Sequence, residues 1–127
     1  MASAPALSWT YLGLVAAGGA IGTAVRLGLT GLPWGDGSFL VVPAINVVGA
    51  FLLGVITSLA VRRGDTERSR RIRQFLGTGA MGGFTTYSAF AVAAVDAPVV
   101  WLTLATVVLG TLAGWAGLVL GRIRRAA

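Results

Sequence analysis

The sequence predicts an all-α integral membrane protein: one domain, residues 1–127, of four transmembrane helices, the third broken near its middle. Three observations carry that expectation. The 127 residues are 56% hydrophobic and only 11% charged, with a mean hydropathy of +0.84, against roughly 25% charged residues in soluble domains. The apolar residues fall in four runs, each near the ~20 residues that cross a bilayer. The third run is interrupted by Gly82-Gly83-Phe84-Thr85-Thr86-Tyr87-Ser88-Ala89-Phe90, where paired glycines and threonines are poor helix material. Broken backbone survives at membrane depth only when it is buried in protein or lines a wet cavity, so this stretch reads as a site.

The spans follow in order. Met1 to Ser8 lacks the charged start of a signal peptide, so the first span, about 7–32, is expected to be retained. It holds Gly18-Gly19-Ala20-Ile21-Gly22, small residues that let helices approach closely. Pro33 to Ser38, with Trp34-Gly35-Asp36-Gly37, is a turn with an interfacial tryptophan. The second span, about 39–61, carries Pro43, Asn46, Gly49 and Gly54, and a charged loop from Arg62 to Arg73 follows. The third span covers about 74–95, Asp96-Ala97-Pro98 turns the chain, and the fourth span covers about 99–120.

Charge supplies the orientation. There is no lysine; six arginines lie in the middle loop, three in the tail, and Arg26 lies alone in the first span. Four spans put the loop, the tail and the N-terminus on one side, and the positive-inside rule makes that side cytoplasmic. The net charge of +6 therefore reads as a topology signal in a plasma membrane, with lipid and no nucleic acid as the expected surroundings. With no cysteine, no histidine, and none of Asp36, Asp65, Glu67 and Asp96 inside a span, the sequence excludes an enzyme built on those groups.

Asn46 is the clearest polar intrusion. Its amide either bonds helices together or donates to a dehydrated anion. Tyr87 and Phe90 share a helix face and either pack or turn positive ring edges to an anion. Thr86 and Ser88 either donate hydroxyls or bond back to the preceding turn. Arg26 either snorkels to the interface or sits in a wet vestibule.

Three motifs occur in order: Gly18-Gly19-Ala20-Ile21-Gly22-Thr23-Ala24-Val25-Arg26, then Asn46-Val47-Val48-Gly49-Ala50-Phe51-Leu52-Leu53-Gly54, then Gly82 to Phe90. With four spans they cover nearly the whole chain, which resembles the CrcB/Fluc family of fluoride channels. The resemblance implies an antiparallel dimer with two narrow pathways between subunits, exporting fluoride from the cytoplasm by passive conduction. It implies that Asn46 is the pore asparagine and that Tyr87 and Phe90 stand for the family's two pore phenylalanines. Carbonyls of Gly82 and Thr85 would hold a structural sodium ion at the dimer interface, a role suited to hard oxygen ligands. The family usually reads Thr-Thr-Phe-Ser-Thr-Phe-Ser here, often with Glu two residues on. This chain has Tyr87, Ala89, Ala91 and Ala93 at the variant positions.

One gene product forms an inverted dimer only if it inserts both ways, which needs balanced flanking charge. Nine arginines against none across the loops and tail point to a paralogous partner of opposite bias, with a homodimer as the alternative. Two other functions compete. A four-helix drug or cation exporter needs a membrane-embedded carboxylate, which no span contains. A non-conducting partner subunit of a two-chain fluoride channel fits the three alanines.

Overall fold

The computed structural model describes residues 8–88, 91 and 100–123. Helix α1 (Trp9–Thr30) is a run of leucine, alanine and glycine, and it ends where Gly31 N–H closes onto Leu27 O at 2.9 Å shortly before Pro33, which cannot continue a helix. The chain reverses through a 3₁₀ turn (Gly35–Gly37). Gly35 has φ +57° there, a left-handed conformation that favours glycine. Helix α2 (Ser38–Arg62) follows, with Pro43 inside it.

The loop after α2 is tied by side chains. Thr66 Oγ1 accepts from the Ser69 N–H that starts α3 (Glu67–Ile72), and the buried Ser69 hydroxyl donates back to Ala60 O in α2 at 2.8 Å. Helix α3 runs on into a π-helical stretch (Arg73–Met81) and one more α-helical turn (Gly82–Phe84). These three pieces form one continuous third helix, since Ile72 and Gly82 at the junctions keep helical angles. It ends at Thr85, whose φ −78° and ψ 158° are fully extended. Ala91 N–H then donates to Tyr87 O at 2.8 Å, the spacing of a helical turn. Helix α4 (Val100–Ile123) completes the described chain.

The described residues form helices and turns and no strands. Among the described residues three helices, Trp9–Thr30, Phe39–Arg62 and Val100–Ile123, are long and apolar enough to cross a membrane. The third expected span, 74–95, lies outside the described residues at 89–90 and 92–95, and the fourth at residue 99. The break expected there lies at Thr85, and the paired glycines before it are helical. Local propensity disfavours helix at Gly82-Gly83, but a glycine without a Cβ is what lets α1 lie against this turn: a Cβ on Gly83 would strike Gly19 O. Packing overrides propensity at that position.

Helix α1 lies on the third helix and α2 on α4. Among the described residues the buried apolar side chains are Ile45, Ala60, Ala80 and Phe84. Trp9, Trp101 and Trp115 are exposed together with many leucines and valines, as suits helices whose outer faces meet lipid or another subunit. Tyr11, near the start of α1, donates to Glu67 at the start of α3 at 2.8 Å. Arg62, at the end of α2, donates to Gly121 O near the end of α4 at 2.9 Å. The start of α1, the middle loop and the end of α4 therefore share one end of the bundle.

Candidate functional site

The site is built around the end of the third helix. In an unbroken helix the carbonyls of Gly82 and Gly83 would accept from the N–H groups of Thr86 and Tyr87. Extended backbone at Thr85 removes both donors, and in a medium without water each freed group needs another partner. Neighbouring helices supply partners to Gly83 O and to the Thr86 N–H.

Helix α2 supplies Asn46. Its Nδ2 donates to Thr86 O at 3.1 Å, and Thr86 N–H donates to its Oδ1 at 2.9 Å. Both edges of one amide are thus spent on one residue's backbone, and that pairing also fixes which end is nitrogen. The amide still has a second N–H. One turn on, Gly49 lets α2 come this close, because a Cβ there would strike the Thr85 methyl group and press on Phe84.

Helix α1 supplies Arg26 and Thr23. Arg26 Nε donates to Gly83 O at 3.1 Å, and the Thr23 hydroxyl reaches the same oxygen at 3.4 Å. The sequence leaves Arg26 between the interface and a wet vestibule. The structure turns it inward onto a carbonyl at the C-terminal end of the broken helix, where a cation is favoured. Thr23 was missed by sequence reasoning; its place three residues before Arg26 on one helix face is the signal that would find it.

The other expected site residues fall around this core. The Thr86 and Ser88 hydroxyls pair with each other at 3.2 Å. Thr85 closes its hydroxyl onto Met81 O at 3.0 Å, leaving its own carbonyl beyond the helix end. Gly82 and Thr85 both line a cavity of about 520 Å3, bounded on the α2 side by Gly49, Ala50, Leu53 and Thr57, with Arg73 among its lining residues. Tyr87 is 80% exposed, so a single chain does not enclose its ring. Phe90, with Ala89 and Ala93, lies outside the described residues. Among the described residues no buried side-chain nitrogen or oxygen lacks a hydrogen-bond partner.

Fold and site define a class: a multi-pass helical membrane protein whose polar groups are gathered at a helix broken inside an apolar chain. Sequence comparison gives the family. The profile described as CrcB-like protein, Camphor Resistance (CrcB), matches residues 13–121, and the chain belongs to that family. It is 38% identical over 127 residues to the fluoride-specific ion channel FluC of Agrobacterium fabrum, covering 87% of this chain and 95% of that one. It is likewise 38% identical over 128 residues to FluC of Caulobacter sp. (strain K31), covering 89% and 95%. It is 52% identical over 81 residues to fluoride-specific ion channel FluC 2 of Leifsonia xyli subsp. xyli, covering 62% of this chain and 56% of that relative. No solved structure matches.

Proposed function

We propose that the chain is a subunit of a fluoride-selective channel that conducts passively, with four spans and both termini cytoplasmic. The observation that carries the reading is the broken third helix with Asn46 locked to Thr86, in a member of a family whose relatives are named fluoride-specific channels. Fluoride is small and strongly hydrated, so selectivity requires donors that replace its water along a narrow path. The donors are the second N–H of Asn46, the hydroxyls of Thr86 and Ser88, and the ring edges of Tyr87 and Phe90. No span contains a carboxylate to couple flux to protons, so flux follows the gradient.

The path lies between two inverted subunits. The exposure of Tyr87 supports this, because the ring needs a second wall. The arginine bias supports a partner chain of opposite bias rather than a second copy. Relatives with the numbered names FluC 1 and FluC 2 fit a two-chain arrangement. Sodium would be held between subunits by Gly82 and Thr85 carbonyls, one parted from its helical donor and one beyond the helix end. The ion would supply positive charge to bare carbonyls where two broken helices meet. Arg26 and Thr23 take the neighbouring carbonyl of Gly83 and leave it out of that set.

Proteoliposomes holding the protein, alone and with its paralogue, test the reading by parallel fluoride and chloride efflux. Fluoride efflux with chloride retained is expected, and equal permeability to the two ions overturns it. A C-terminal tag accessible from one face only, with this gene expressed alone, is expected. Equal labelling of both faces with flux from the single product sinks the two-chain arrangement.

A further inference from the structure

Two consecutive carbonyls at the break lose their helical donors, and they meet different fates. Gly83 O is bonded by Arg26 and Thr23. Gly82 O is parted from its donor because the Thr86 N–H points instead at Asn46 Oδ1, at 2.9 Å. The same asparagine secures Thr86 O at 3.1 Å. Asn46 Oδ1 and Gly82 O are therefore competing acceptors for one N–H group. Whichever acceptor takes it decides whether Gly82 O belongs to the helix or to the cavity that Gly82 and Thr85 line.

From this competition we infer that Asn46 is a positioning residue for the cation site. By holding Thr86 it keeps the Gly82 carbonyl out of the helix and available to a monovalent cation such as sodium. The inference rests on the sodium reading above and assigns Asn46 a task separate from meeting fluoride. Without the side chain, the part-buried Thr86 N–H loses its acceptor, and an unmade hydrogen bond is costly. Its nearest remedy is to return to Gly82 O and lengthen the helix by one residue. The cation site then loses a ligand although neither Gly82 nor Thr85 has changed.

The test reads sodium binding apart from flux. The assembled protein, with its partner if it requires one, is melted in detergent at increasing sodium against a large organic cation. The midpoint of sodium-dependent stabilisation is recorded. Asn46→Leu, which removes both hydrogen bonds, is expected to raise that midpoint about 10- to 100-fold, the usual size of an outer-shell effect on a metal site. Asn46→Asp keeps an acceptor for Thr86 N–H and is expected to stay within about threefold of the parent, a difference under about 0.7 kcal/mol. The strongest arm is a rescue. Thr85 already has the extended backbone (φ −78°, ψ 158°) that a following proline requires. Proline has no N–H to return to Gly82 O, so Thr86→Pro on top of Asn46→Leu is expected to restore sodium binding.

A parent midpoint carried unchanged into a folded Asn46→Leu overturns the inference, as does an Asn46→Asp midpoint raised tenfold or a rescue that fails in a folded double variant. If Asn46→Leu alone does not fold, the Asp and double variants decide in the same way. A parent protein with no sodium response overturns the sodium reading and this inference with it, while the fluoride assay stands by itself.

Discussion

The pairing of α2 with α4 and the pairing of α1 with the third helix use the same packing device. In the first, a Cβ on Gly54 would strike Gly114 O and one on Gly117 would strike Phe51 O. In the second, a Cβ on Gly22 would strike Ala80 O and one on Gly83 would strike Gly19 O. What differs is the polar traffic inside the apolar stretch, away from the Arg62–Gly121 O bond that joins α2 to α4 at the end of the bundle. Thr106 and Thr111 of α4 bond back to Leu102 O and Val107 O within their own helix, and α4 is α-helical along its described length. The third helix is π-wound and ends inside the apolar region, and its groups draw Arg26, Thr23 and Asn46 from two other helices. Close packing alone therefore does not mark a site. Backbone that is broken inside the apolar region and must borrow partners there does, and π-winding commonly accompanies such places.

The largest expected effect tests the shared device. Gly22→Val and Gly117→Val each push a branched side chain into backbone, and overpacking of this kind costs about 1–3 kcal/mol or more. Both should lower the yield of monodisperse protein and its melting temperature. They should part in function: the folded fraction of Gly117→Val keeps fluoride over chloride, and that of Gly22→Val loses flux because Ala80 lies one turn before the break. Wild-type melting in both variants would remove close approach as the basis of either pairing. A folded, fully selective Gly22→Val would erase the functional contrast between them.

Next in size is the borrowed partner itself. Arg26→Met keeps an apolar stem but leaves Gly83 O with only the long Thr23 contact. A hydrogen bond from a charged group contributes about 1.5–3 kcal/mol. Thr111→Ala in α4 removes a bond that stays within one exposed helix turn, and such surface changes stay within about 0.5 kcal/mol. Chemical unfolding of the two variants side by side should therefore rank Arg26→Met well below Thr111→Ala. Equal losses would mean that the Arg26 bond has no special weight at the break.

How much of this was legible beforehand follows from what each signal measures. Apolar run length reports burial in lipid, and among the described residues α1, α2 and α4 are long and apolar enough to cross a membrane. The helical disorder of the central stretch was also readable, from glycine and threonine chemistry. Its register was not, because propensity cannot see that Gly83 is pressed against α1 and held helical. The partners of Asn46 and Arg26 were not readable either. A side chain's polarity says that it needs partners, and only the crossing of three helices says that they are Thr86 and Gly83. The π-winding of Arg73–Met81 left no pattern distinct from an ordinary helix beyond its glycines at 77 and 79.

The smallest expected effect lies outside the membrane, at the tie between the start of α1 and the middle loop. Arg71 Nε donates to Glu67 Oε1 at 2.9 Å and the Tyr11 hydroxyl donates to Oε2 at 2.8 Å. Those two bonds, Arg71 first, hold the Glu67 carboxyl below its ordinary range. A carboxylate whose folded-state pKa is depressed contributes stability that is full above its ordinary value and is lost as pH falls through the depressed one. Acidification below about pH 4 should therefore loosen this tie, and only slightly, since Glu67 and Arg71 are both more than half exposed and exposed pairs contribute little. Glu67→Gln keeps acceptor capacity for Tyr11 and cannot titrate. The melting temperature of the parent should exceed that of Glu67→Gln near neutral pH, and the two curves should converge as pH falls through the carboxylate range. Salt should shrink the gap, because the Arg71 contribution is electrostatic and solvent-screened. A constant gap across the whole pH range would assign the stabilisation to side-chain shape, and the borrowed-partner contrast would then rest on the break alone.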